Sequence, residues 1–216
     1  MLWTQLGNLI PKSLLRLVGD CSCLLATAGE NVGVLEYLNS VGHAFGTQSS
    51  VMPFNFVHGR LISVSAYLGS RKLVLYWKER LKDKELLDAS KSLSDAVYRA
   101  DERAVSLLLE GFEDRFYSRA IVSSLRWASK MGYARIITHL LSHPTCDVNY
   151  RNGFGETPLM NVADSGPAVA ALCKDADLDV DLQNHLGEAA LDIFIKECRP
   201  EALAALLKHP GIDINR

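Results

Sequence analysis

The sequence lacks the features that mark membrane, secreted and nucleic-acid-binding proteins. Its formal net charge is −2 and its pI is near 6.3, so it has no general attraction for phosphate backbones or anionic lipid. No stretch reaches the roughly 18 to 20 apolar residues that span a bilayer. Residues 1–18 lack the basic start and the long apolar core of a signal peptide. We therefore expect no nucleic-acid partner, no membrane insertion and a cytoplasmic location.

The odd number and the scattered positions of the cysteines exclude a disulfide framework or a zinc site. Of the five cysteines, only Cys21 and Cys23 are close together, and this is not a zinc-binding spacing. Cys146 follows His143 by three positions, and cysteine with histidine can form a nucleophilic pair. In the matching segment 66 residues later, however, Ile212 replaces the cysteine. We therefore predict that Cys146 fills the core.

Two other patterns suggest ligand binding only superficially. Alternating aspartates resemble a calcium loop, but the glycine and the downstream Glu that such a loop needs are missing; these aspartates are Asp175, Asp177, Asp179 and Asp181. Residues 153–155 lack the third glycine of a phosphate-binding loop. The sequence therefore predicts no catalytic, cofactor-binding or metal-binding residue, no cofactor, and no enzymatic activity.

What the chain does contain is a repeat with a period near 33 residues. Residues 140–149 recur as residues 206–215, an offset of 66, and residues 155–159 recur as 187–191, an offset of 32. A hydrophobic content of 48% with 22% charged residues is ordinary for a folded protein. A period near 33 indicates an array of short units, each of which completes the core of its neighbour.

These residues resemble the ankyrin repeat, whose pattern begins G-x-T-P-L-H and closes with L-L and then D-V-N. Gly155, Thr157, Pro158 and Leu159 match its start, and Met160 replaces the usual His. Six copies are marked by a residue of the small pair in each first helix: Ala26, Ser65, Ala96, Ala128, Val162 and Phe194. The match is strongest over 120–216 and rests on helical periodicity over 20–115. The degenerate repeats are also similar to those of intracellular bacterial effectors, which would place the chain in a host cytosol.

The resemblance implies an all-α solenoid of about six helix-turn-helix repeats with short hairpin loops, in one domain over 1–216. The expected repeats are 20–57, 58–90, 91–120, 121–154, 155–186 and 187–216, with an inserted loop at 40–59. We refer to the two helices of each repeat as its first and second helix.

Local chemistry predicts where some of these helices begin and end. Thr157 should cap a first helix that starts at Pro158. Gly132 and Gly166 should end first helices in the left-handed conformation. The second helix of the fourth repeat has the apolar spacing of a buried helix; its predicted core residues are Ile136, Ile137, Leu140 and Leu141.

The resemblance also implies a protein-protein interaction scaffold that binds a partner, here a host protein if the chain is an effector, through its concave face and hairpin tips. Carried over by position, the binding residues are the last residues of the first helices in repeats two to four and two hairpin residues. They are Tyr67, Leu68, Tyr98, Arg99, Lys130, Met131, Arg151 and Phe154. Aromatic residues, Met and Arg are enriched in interfaces. The polar pairs at 164–165 and 196–197 are predicted to form the rim.

Three alternatives remain open at this level. Tyr67, Leu68 and Met131 either bind a partner or pack against the inserted loop, whose residues 52–56 are then the better binding candidate. The repeats either act alone or form the substrate-recognition fragment of a larger effector or enzyme whose catalytic domain is absent from this chain. The last repeat shows no polar capping helix, which also allows end-to-end self-association.

Overall fold

The computed structural model describes residues 62–63, 65–80, 86–112 and 118–212, and all regular structure within them is helical. Residues 62, 63 and 65–67 are helical, and eight further helices follow. These are α1 (Arg71–Arg80), α2 (Leu86–Tyr98), α3 (Glu102–Gly111), α4 (Ser118–Met131), α5 (Ala134–Leu141), α6 (Gly166–Leu172), α7 (Ala190–Lys196) and α8 (Pro200–Leu206). The predicted all-α class is confirmed. The expected first repeat and the inserted loop at 40–59 lie outside the described residues.

The helices form two layers. Second helices pack in series, since α1 contacts α3, α3 contacts α5, α5 contacts α6 and α6 contacts α8. In the other layer the first helices α2 and α4 contact each other, and each first helix also packs on its own second helix. Because these contacts between the described helices join each unit to its neighbours, the stack is the quasi-linear array that the period predicts.

The core lies between these layers. Ile136, Ile137 and Leu140 are buried, as predicted, but Leu141 is only half-buried. At 100° per residue, Leu141 lies about 90° from the centre of the arc that the other three share. The prediction that Leu141 is core was therefore wrong in degree, because its side chain lies at the edge of the buried face.

The turn between the two helices of a repeat uses one left-handed residue. Gly132 has a φ of +73°, as predicted. Ala100 and Cys198 stand at the equivalent position in their repeats and adopt φ values of +57° and +52°. A left-handed residue with a Cβ costs about 1 kcal/mol or more, so these two repeats keep the turn geometry despite an unfavourable residue.

The fifth repeat has a turn where its first helix was expected. The Met160 amide donates to Thr157 Oγ1 at 3.4 Å, but residues 158–161 form only a turn. The prediction for Gly166 was wrong, because Gly166 begins α6 after an N-cap at Ser165. Ser165 follows Thr157 by eight positions, whereas the equivalent N-cap of the sixth repeat, Arg199, follows Ala189 by ten. The fifth repeat is thus too short for a regular first helix.

The two described hairpins repeat one hydrogen-bond pattern. Asn152 Oδ1 accepts hydrogen bonds from the backbone amides of Phe154 and Glu156, and the backbone amide of Asn152 donates to the Glu156 carbonyl. Asn184 makes the same three bonds one repeat later. The hairpins are also joined to each other, because the His185 amide donates to the Phe154 carbonyl at 3.0 Å. Their tips are therefore fixed relative to one another.

The glycines of these hairpins provide a graded test of this geometry. Gly155 and Gly187 have φ values of +77° and +78°, and a methyl group on Gly155 would lie 2.9 Å from the His185 nitrogen, whereas Gly187 has open space. We expect Gly155→Ala to cost about 2 kcal/mol and Gly187→Ala about 1 kcal/mol in unfolding free energy. Gly153→Ala, with neither constraint, should stay within about 0.5 kcal/mol of the parent. Urea melts that rank the three variants differently would contradict the hairpin geometry.

Candidate binding surface

The candidate residues of repeats two to four lie at the ends of first helices and are exposed. Tyr98 is the last residue of α2 and Met131 the last of α4, with 67% and 45% of their surfaces exposed. Arg99 and Lys130 beside them are exposed as well. Tyr67 ends the helical segment 65–67, Leu68 begins the turn before α1, and both are exposed. Since α2 and α4 pack together, the structure brings the residues of repeats three and four to adjoining helix ends.

An aromatic pair connects these two helix ends. The rings of Tyr98 and Trp127 stack with centroids 5.2 Å apart and planes 26° apart. Trp127 lies one turn before Met131 on α4 and is half-buried. Sequence reasoning did not assign Trp127 to the surface. The available signal was its spacing, because residues three and four positions before Lys130 and Met131 share their side of the helix.

Two side-chain donors at this pair, one of them on Trp127 itself, have no acceptor among the described residues. The Arg126 Nε and Trp127 Nε1 atoms are buried and without a hydrogen-bond partner in the described structure. A buried donor without a partner costs about 1 to 3 kcal/mol. Because both atoms are shielded from solvent, they are an unsatisfied cost of the packing around Trp127 and say nothing about a ligand.

The two hairpin candidates differ in their surroundings. Phe154 lies at the hairpin tip and is 73% exposed. Arg151 is exposed too, but its guanidinium donates to the Gly155 carbonyl at 3.2 Å and to the Gln183 carbonyl at 2.6 Å. Arg151 therefore ties neighbouring hairpins together, whereas the exposed Phe154 ring takes no part in these two hydrogen bonds.

The patterns that resembled ligand sites have structural roles. Asp175 and Asp179 accept hydrogen bonds from the amides two residues later, at 3.1 and 3.0 Å. The described residues contain no group of three or more His, Cys, Asp or Glu side chains arranged to hold a metal ion. Within the same residues, no helix has both the length and the apolar character needed to cross a bilayer.

The surroundings of the Cys146 thiol disfavour its nucleophilic thiolate form. Burial, reinforced by the charges of Asp175 and Asp147, raises its pKa to about 12, and its side chain packs against the core. The predicted core-filling role is therefore consistent with its surroundings. A nucleophilic cysteine instead needs a lowered pKa.

Alkylation should separate this thiol from an exposed one. With a pKa about 3 to 4 units above the pH, only roughly one Cys146 in a thousand to ten thousand is a thiolate at about pH 8 to 9. We expect iodoacetamide to modify exposed Cys198 while Cys146 stays unmodified until the protein unfolds in urea, as read by peptide mass mapping. Equal modification rates in the folded protein would contradict the burial of Cys146.

Comparison with known proteins agrees with the helix-pair architecture. Residues 125–216 match a family model described as ankyrin repeats (3 copies). Searching curated protein sequences finds no match. Among solved structures, the crystal structure of EF0377, an ankyrin repeat protein, superposes with a TM-score of 0.54 at 11% sequence identity. The alignment covers 87% of this chain and 97% of that one, and at this identity it shows the fold alone.

Proposed function

We propose that the protein is a scaffold that binds a partner protein, because residues 125–216 match the model of the ankyrin repeat family. Ankyrin repeats are generally protein-protein interaction modules and are typically non-catalytic. The proposed binding surface consists of the exposed ends of α2 and α4 with the hairpin tip at Phe154. The observation that carries the proposal is the exposed Tyr98 ring, stacked on Trp127 at the junction of two first helices.

The chemistry of this junction favours binding over simple exposure. The stacked rings are held in place before a partner arrives, so little side-chain entropy is lost on binding. Met131 adds an adaptable apolar side chain next to them, and Arg99 adds a planar cation. Tyr, Trp and Arg are the residue types most enriched among binding hot spots. The same proposal includes Tyr67 and Leu68 as an extension of the surface. It also treats the array over the whole chain as one domain.

Substitution of Tyr98 and Arg99 tests the surface. Once a partner has been isolated by affinity capture and purified, Tyr98→Ala and Arg99→Ala should each weaken its binding at least about tenfold. The loss is expected because truncation removes apolar area or a planar cation from the centre of the contact. Isothermal titration of the purified pair gives the two affinities.

Controls separate binding from stability. Lys196→Ala removes an exposed cation that bonds to Glu188 on its own repeat, and it should leave the affinity unchanged. Tyr98→Ala also loses the stack on Trp127, worth about 0.5 to 1.5 kcal/mol, so Tyr98→Phe is included because it keeps the ring. If both Tyr98 variants bind normally, the junction is only packing, and residues 52–56 become the next candidate.

A further inference from the structure

Four cations at the ends of α2 and along α4 have no acidic partner in the described structure. They are Arg99, Arg119, Arg126 and Lys130. Four other cations of the described array are paired: Arg71 with Glu110, Arg135 with Glu102, Lys196 with Glu188 and Arg199 with Glu197. Lys72, Lys174 and Lys208 also lack an acidic partner within the described residues, so Arg119, Arg126 and Lys130 are set apart by their position on one helix.

Three of these cations form one row. Arg126 and Lys130 follow Arg119 by seven and eleven positions on α4, which places all three within about 40° of one another around the helix. At a rise of about 1.5 Å per residue the row is about 16 Å long. Helix α4 contains no Asp or Glu, so nothing on the helix itself neutralises the row. Asp95 is an exposed acid on α2, one turn before Arg99.

The row adjoins the aromatic junction. Trp127 follows Arg126 directly on α4. A ligand that fits this surface thus has anionic oxygens opposite α4 and an apolar group against Tyr98, Trp127 and Met131. Carboxylates provide charge-assisted acceptors for guanidinium groups, and such bonds are about twice as strong as neutral ones.

We infer that the partner segment is an acidic peptide whose Asp or Glu side chains pair with Arg119, Arg126 and Lys130. The inference rests on the proposed function and names the chemistry of its partner. Charge complementarity supports it, because the row is a local excess of positive charge on a chain whose net charge is −2. The same net charge opposes binding of a long polyanion such as nucleic acid. Electrostatic steering would act mainly by raising the association rate.

Peptide selection tests the inference without a known partner. A random peptide display library is selected on the wild-type chain and on Arg119→Gln/Arg126→Gln/Lys130→Gln. A matched control, Lys72→Gln/Lys174→Gln/Lys208→Gln, removes the same charge from exposed lysines after or on second helices. We expect wild type and control to enrich peptides rich in Asp and Glu, and the α4 variant to lose them. A selected peptide should bind the α4 variant at least about tenfold more weakly, and binding to wild type should weaken as salt rises.

The outcomes distinguish the two proposals. Neutral peptides that require Tyr98 but not the α4 row would overturn the acidic partner and leave the binding surface standing. Peptides whose binding is unaffected by either Tyr98→Ala or the α4 variant, or no enrichment at all, would overturn both. Single-stranded DNA is the third probe, since its tighter binding to wild type than to the α4 variant, without acidic peptides, would assign the row to nucleic acid instead.

Discussion

Replacing Leu140 with Ala should lower the free energy of unfolding by about 2 to 5 kcal/mol. Leu140 has 0% of its surface exposed, and its helix α5 lies between α3 and α6 in the layer of second helices. Removing its side chain loses the transfer free energy of three carbons and leaves a cavity that helices on both sides restrain from collapsing. Urea or thermal denaturation gives the difference directly.

Two other leucines calibrate this prediction. Leu207 is 48% exposed, so Leu207→Ala should cost well under half as much. Leu141, half-buried at the edge of the core, should give an intermediate value, still larger than that of Leu207. Equal losses for Leu140 and Leu207 would mean that residues outside the described ranges cover the last repeat.

Replacing Arg199 with Met should cost about 2 to 4 kcal/mol, because two buried backbone acceptors lose their donor. Arg199 Nη1 donates to the Met160 carbonyl at 3.2 Å and also to the Val162 carbonyl. In a regular first helix these carbonyls would bond within the helix, but the turn at 158–161 leaves them available. The sixth repeat thus supplies bonds that the fifth cannot make. In the Arg199→Met variant, backbone amide hydrogen exchange should be faster at residues 158–165 than in α4.

Arg135→Met is the matched control for this change. The side chain of Arg135 is 83% exposed and pairs with Glu102 at 3.6 Å, and exposed ion pairs contribute about 0 to 1 kcal/mol. Both substitutions remove one guanidinium group, but only Arg199→Met leaves two buried carbonyl groups without their hydrogen-bond donor. If the two variants melt alike, Arg199 does not support the fifth repeat.

Features of the fold that depend on local sequence were predictable. The period near 33, the buried face of α5 and the left-handed turn at Gly132 each follow from spacing within one repeat. The prediction for Gly166 was wrong because repeat alignment assumes equal helix lengths, and the prediction for Leu141 was too strong because apolar spacing does not show where the edge of the buried face lies. The fifth repeat is two residues short, and the resulting change in helix start moves Gly166 from a turn to the first position of α6.

Interactions between repeats were not predictable from one repeat. The Tyr98–Trp127 stack joins residues 29 positions apart, and Arg199 bonds to carbonyls 37 and 39 positions before it. Periodicity places equivalent residues near one another but does not show which side chains meet. The Asn152 and Asn184 pattern is an exception, since the 32-residue offset is visible in the sequence and marks both hairpins.

The bonds from Arg199 make the fifth and sixth repeats an indivisible pair. Repeat arrays are usually modular, so units can be duplicated, exchanged or replaced by a consensus unit. Here the pairing runs in both directions, because Asp164 of the fifth repeat accepts from the amides of Glu201 and Ala202 at the start of α8. A chimera that transplants either unit alone would lose the bonds from Arg199 and the bonds to Asp164 at once. Residues 155–212 moved together would keep both sets of bonds.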